Sequence, residues 1–336
     1  MVNVTERRRP STWTRPVPRA VFPLGTLHVS LGNDPATYVA CHHNFLLASC
    51  TSQEEPMSKV NAEQIDYWNG RAGAKWVAMQ ASLDVMLAAA TAELKARAGS
   101  VSQLRVLDIG CGTGETCTIW LDGGAYVTGV DVSAPMLVRA AERTQGKARL
   151  LEVDASQWVA DTPFDLVVSR FGVMFFAEPD QAFMTIAANV RPGGRLLFTC
   201  WRQVADNQWA NTPLSAIRSL LPEVPPPPPD APGPFAFANK DRLARILLQA
   251  GFADIVIEPR DVPICLACEG GVEAAVTLVM QVGPSAAALA GASDDVKAIA
   301  AERLKTVLEP FNKDGVVTLG GAIWVVEARR SGPKCR

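Results

Sequence analysis

Three glycines spaced one residue apart, Gly110, Gly112 and Gly114, close the run Val106-Leu107-Asp108-Ile109 and precede Glu115. Only glycine lets a chain turn sharply out of a strand and leave room for a ligand against the main chain. A helix opening at Glu115 aims its free N–H groups back at that turn. Dinucleotides, ATP and adenosyl compounds all use such loops, and the details narrow the choice. The spacing is G-x-G-x-G rather than G-x-G-x-x-G, and no G-K-[ST] follows. Asp108 stands where a pyrophosphate would be repelled but an ammonium can be held, directly or through water. Asp131 ends a second strand-like run, 126–131, seventeen residues after Gly114. An alternating strand–helix unit sets a carboxylate over a ribose at about that distance. Asp154 follows a third run, Leu150-Leu151-Glu152-Val153, and suits an adenine amino group.

The elements that must position these residues alternate along the chain. Apolar runs with Val and Ile at 104–109, 126–131, 150–155, 164–169 and 193–199 read as strands buried on both faces. Segments 115–121, 135–144 and 180–190 read as the helices between them. This pattern specifies an α/β fold with a doubly wound, mostly parallel sheet. Ligands in such sheets bind beyond the carboxyl ends of the strands. Gly110, Asp131, Asp154 and Ser169 are therefore expected along one crevice.

Five segments in order resemble the class I S-adenosylmethionine-dependent methyltransferases: VLDIGCGTG, VTGVDVS with Met136, VDA, FDLVVSRFGVMFF and RPGGRLLFTCW. The resemblance is particularly to the branch similar to the ubiquinone/menaquinone-biosynthesis C-methyltransferases. It covers roughly residues 65–251 plus a last strand near the C-terminus. It implies a seven-stranded Rossmann-like sheet with a helical insertion before the last strand, and S-adenosyl-L-methionine as cofactor. The implied cofactor contacts are Trp68, Asp108, Gly110, Cys111, Gly112, Thr113, Gly114, Asp131, Val132, Met136, Asp154, Ala155 and Ser169. Tyr67-Trp68-Asn69 reads either as a lid over the cofactor's methionine end or as ordinary packing. Tyr67, Arg170 and Phe171 are the acceptor-side candidates for catalysis. Arg170 would hold an acidic acceptor or pair with a surface carboxylate. Beyond residue 56 there is no histidine, and the tyrosines are Tyr67 and Tyr126. An acceptor that must lose a proton would use Tyr67, an acid, or nothing if already ionised. The expectation is that no base is essential.

The organisation expected has three parts. Residues 1–56, with Arg7-Arg8-Arg9, four prolines by Pro23 and all three histidines (His28, His42, His43), read as a disordered or foreign leader. A transit peptide and a small functional element are the other readings. Met57-Ser58-Lys59 has the look of a natural start. Residues 57–100 read as N-terminal lid helices. Asn61 is a helix cap there, Gly70 and Gly73 are breaks, and Trp76 to Ala98 is one long helix. Residues 101–336 form the methyltransferase-like core, with a Pro-rich loop at 222–234 and a helical insertion at about 269–314. The insertion is expected to cap the acceptor pocket.

Composition bounds the function. A 48% hydrophobic, 20% charged chain with net charge −2 lacks the basic face that nucleic acid requires. After the fourth strand there is no Asn/Asp-Pro-Pro-Tyr tetrad and no Pro-Cys nucleophile. No window approaches eighteen apolar residues, so no membrane span is expected. The eight cysteines are scattered, which favours the cytoplasm. Cys265 and Cys268 form a lone C-x-x-C that cannot fill a tetrahedral metal site, and they are expected as buried thiols. No metal is expected. The partner expected is a small-molecule methyl acceptor. Two rival readings remain: a non-catalytic adenosyl-ligand-binding regulator, and an NAD(P)-dependent oxidoreductase, which the glycine spacing disfavours.

Overall fold

The computed structural model describes residues 61–223, 228 and 231–332. The expectations for residues 1–56, and for most of the proline run, fall outside them. The strands are β1 (Arg105–Ile109), β2 (Tyr126–Asp131), β3 (Arg149–Glu152), β4 (Phe164–Arg170), β5 (Val190–Trp201), β6 (Phe252–Ala267), β7 (Asn312–Lys313) and β8 (Val316–Arg330). They form one sheet in the order β3-β2-β1-β4-β5-β8-β6, with the two-residue β7 beside β8. β1 through β5 pair in parallel. Val106, Leu107 and Ile109 of β1 and Leu166, Val167 and Val168 of β4 are buried, as central strands covered on both faces must be.

The helices that connect or cover these strands are α1 (Ala62–Asn69), α2 (Arg71–Ala78), α3 (Gln80–Met86), α4 (Ala88–Ala98), α5 (Glu115–Asp122), α6 (Ala134–Thr144), α7 (Pro179–Asn189), α8 (Gln208–Ile217), α9 (Lys240–Gln249), α10 (Gly271–Gln281), α11 (Gly283–Ala288) and α12 (Asp294–Leu308). Right-handed crossovers put α5 and α6 on one face, because the strand order runs outward from β1 to β3. The same rule puts α7 on the other face, where it packs on β4 and β5 and against α9. The order reverses between β1 and β4. This is the switch point where such sheets open a crevice at their carboxyl end.

β8 runs antiparallel between β5 and β6. Its pairing with β5 stops at Trp201↔Ile323, whereas its pairing with β6 continues to Ala267↔Val317. The β6–β8 hairpin therefore projects beyond the carboxyl end of β5. α8 and α10 pack on it, and α11 and α12 pack on α8 and α10.

Two local expectations need correction. The segment from Trp76 to Ala98 is bent at Met79 and Leu87 into α2, α3 and α4. Gly73 does not break a helix but lies inside α2. A Cβ there would stand 2.0 Å from the Trp68 carbonyl oxygen and 2.8 Å from Ser133 Oγ, so the glycine allows close approach. α8 holds Pro213 within it.

Candidate functional site

The glycine turn is built by the end of β1. Gly110, Gly112 and Gly114 have φ of +65°, +53° and +84°, which favours glycine at each. The N–H groups of Gly110 and Cys111 both donate to Val130 O, tying the turn to β2. Gly112 N–H donates to Asp131 Oδ2 at 2.8 Å and Ser133 N–H donates to Oδ1 at 2.9 Å. The Asp131 carboxylate thus faces the turn. Burial pushes its pKa up, against the pull of those N–H donors.

The turn touches the loop after β4. A Cβ on Gly172 would lie 2.7 Å from Ile109 O and 2.9 Å from Gly110 Cα, so two glycine backbones meet there. Ser169 Oγ donates to Ile109 O at 2.7 Å and accepts from Gly172 N–H at 3.1 Å. Its hydroxyl fastens the β1 and β4 ends together. Phe171 adopts φ +64°, a strained conformation for a side-chain-bearing residue, and its ring stacks on Trp201 at 4.3 Å.

Asp108 is fully buried beneath the turn. Oδ2 accepts from Thr116 Oγ1 and from Cys117 Sγ, while Oδ1 has no partner among the described residues. Burial pushes its pKa up to about 6, although Thr116, Cys117 and the nearby Arg170 all pull it down. Arg170 donates to Thr91 Oγ1 at 2.9 Å, and the carboxylates of Asp84, Glu115 and Asp108 act on its charge. Burial lowers its pKa. Thr113 is buried, with Arg143 Nη1 at 3.3 Å from its carbonyl oxygen. Met136, on α6, is buried near the turn.

Asp154 also lies at the crevice, 6% exposed. Ser156 N–H donates to its Oδ1 at 2.9 Å, and Asn61 Nδ2 donates to both carboxylate oxygens at 3.1 and 3.0 Å. Asn61, expected as a cap, makes no side-chain cap bond to α1; its carboxamide instead reaches the end of β3. The far end of α1 is fastened to β2. Asn69 Nδ2 donates to Val132 O at 2.7 Å, Ala134 N–H donates to Asn69 Oδ1, and Ser133 Oγ donates to Trp68 O. Trp68 meets Tyr67, Trp76 and Phe175 edge to face. The Tyr67-Trp68-Asn69 segment therefore lies across the carboxyl ends of the strands, with Tyr67 itself 55% exposed.

Among the expected site residues, direct contacts join the glycine turn to Asp131 and, through Ile109 and Gly172, to Ser169, with Asp108 buried at the end of β1 and Trp68 fastened to Ser133. Sequence reasoning missed Asn61 as part of this site. Nothing in its neighbourhood marks a partner 93 residues away.

The sheet is doubly wound, with the glycine turn at its switch point and Asp131 at the end of the neighbouring β2. Residues 107–198 match a family described as a methyltransferase domain. Over 107 residues the chain is 38% identical to the malonyl-[acyl-carrier protein] O-methyltransferase of Pseudescherichia vulneris, covering 32% of this chain and 42% of that protein. Over 160 residues it is 28% identical to the demethylmenaquinone methyltransferase of Paenarthrobacter aurescens, covering 45% of this chain and 63% of that one. Among solved structures, the magnesium protoporphyrin IX methyltransferase from Synechocystis PCC 6803 aligns at 16% identity and TM-score 0.48, over 80% of this chain and 99% of that chain. The chain thus spans about half the length of the curated relatives it matches.

The C-x-x-C expectation is corrected here: Cys265 and Cys268 are joined as a disulfide, and Cys268 is exposed. Cys111, Cys117 and Cys200 are free and buried. Among the described residues, no group of three or more His, Cys, Asp or Glu is placed to hold a metal. No helix among them is long and apolar enough to cross a membrane.

Proposed function

We propose that this chain is a cytoplasmic S-adenosylmethionine-dependent methyltransferase acting on a small molecule. The observation that carries the reading is the buried, unpartnered Oδ1 of Asp108 beneath a glycine turn that Asp131 also faces. A buried acceptor without a partner is costly, and the ammonium of the cofactor's amino-acid tail fits it. Asp131 would hold the ribose hydroxyls with its remaining lone pairs, and Asp154 with Ala155 the adenine. Trp68, Val132 and Met136 would line the ligand, and Gly110 to Gly114, including Cys111 and Thr113, would wrap its methionine end. Ser169 would act through the β1–β4 junction that it fastens. The cofactor supplies a methyl group on a sulfonium, open to in-line displacement. This chain's residues then need only align the acceptor and exclude water.

Phe171, held by Trp201, and Arg170, held by Thr91, would shape the acceptor side. The helices on the projecting β6–β8 hairpin would cap that side. Tyr67, exposed on the lid, would not be a required base, and Tyr67→Phe is expected to keep kcat within about tenfold. Neither a nucleic acid nor a membrane is needed as partner.

The deciding experiment is calorimetry with S-adenosylhomocysteine, followed by an acceptor screen with methyl-labelled cofactor. Binding together with label transfer supports the reading. Tight NADH binding without adenosyl-ligand binding would revive the oxidoreductase. Ligand binding without turnover on any acceptor would favour the regulator.

A further inference from the structure

The Asn61 carboxamide, 5% exposed, uses every polar atom it has. Its Nδ2 donates to both oxygens of Asp154 and to Ser156 Oγ at 3.0 Å, while its Oδ1 accepts from Ala177 N–H at 2.9 Å. It therefore bridges the end of β3 to the segment that follows β4. A carboxamide presents an N–H donor beside an oxygen acceptor. The edge of adenine presents the same pair, its amino group beside a ring nitrogen.

The helix behind this contact is weakly anchored by apolar burial. Ile65 is the one buried residue of α1; beyond it the Trp68 ring meets Trp76 and Phe175 edge to face, and the remaining ties are polar bonds from Asn61, Trp68 O and Asn69. Elements with few buried apolar contacts open at low cost.

We propose that α1 is a nucleobase-mimicking latch. The Asn61 Nδ2 takes the hydrogen-bonding place of the adenine amino group at Asp154, and an adenosyl ligand must displace it to bind. This rests on the adenosyl-site reading above. Ligand binding is thereby coupled to release of the α1 end at Asn61. The apparent affinity is lowered by the fraction of molecules in which the latch is shut.

The test compares wild type with Asn61→Ala and Asn69→Ala, using S-adenosylhomocysteine in calorimetry and amide hydrogen exchange on the full chain. Asn61→Ala is expected to tighten binding by roughly tenfold, because the ligand no longer breaks the latch bonds. Asn69→Ala, which loosens the opposite end of α1, is expected to tighten it less. Exchange at α1 is expected to speed up in wild type on adding the ligand, and in Asn61→Ala without it. Affinity that is unchanged or weaker in Asn61→Ala, or an α1 that becomes more protected when wild type binds, would overturn the latch while leaving the adenosyl site intact. If no variant binds the ligand, the adenosyl reading itself fails and the latch with it.

Discussion

At the scale of single residues, the candidate site is a set of carboxylates whose surroundings assign them different tasks. Asp131 keeps a free lone pair on each oxygen while its N–H donors hold it against the glycine turn. Charge-assisted hydrogen bonds contribute about 1.5–3 kcal/mol, so Asp131→Ala should weaken S-adenosylhomocysteine binding by roughly ten- to a hundredfold in calorimetry. Asp108 carries a linkage prediction. Its carboxyl is raised from 3.8 to about 6, so its contribution to stability is full below about pH 4 and is lost as the pH rises through 6. Asp108→Asn removes that loss. The variant should match wild type near pH 4 and exceed it at pH 7.5 by up to about 3 kcal/mol in urea unfolding of the ligand-free protein. Asp131 was legible because it closes an apolar run and is the last residue of its strand, and Asp108 because only Ile109 stands between it and the glycine turn that ends β1. Asn61 was not legible: an asparagine ahead of a helix reads as a cap, and its true partner is separated from it by three strands.

At the scale of elements, strands and crossover helices were legible wherever the apolar pattern was continuous, as from β1 to β5. The pattern gave way where a local rule was overridden by a contact. Gly73 stays helical because the Trp68 carbonyl needs the space of a side chain. α8 holds Pro213 because one buried side chain pins it to the hairpin. Asn207 is fully buried and satisfied on all sides. It donates to Arg202 O and Gln203 O, and its Oδ1 accepts from Ala322 N–H at 2.8 Å and from Trp209 Nε1 at 3.1 Å. Asn207→Ala strands two buried donors at about 1–3 kcal/mol each. It should therefore lower the thermal midpoint by roughly 4–15 °C, read by calorimetric scanning. A midpoint within a degree of wild type would show that α8 is held by its apolar face alone.

At the scale of the whole molecule, the doubly wound, mostly parallel sheet followed from the alternation of elements, and a last strand after a helical insertion from the family resemblance. The oxidation state of Cys265 and Cys268 did not, because spacing in a sequence says nothing of how the end of a hairpin folds back. There the two Cα atoms come to 6.2 Å, within bonding reach. Peptide mapping after denaturation in iodoacetamide without reductant should find these two joined and Cys111, Cys117 and Cys200 alkylated. β8 is laid down between β5 and β6 although it is the last of the strands to be made. While the nascent chain is still leaving the ribosome, Leu196 to Trp201 of β5 must wait with one flank unclaimed. Exposed strand flanks attract other chains. Synthesis that stalls before Val316 should leave a sticky, half-finished sheet, and cells would have reason to shield it with chaperones until translation passes Arg330.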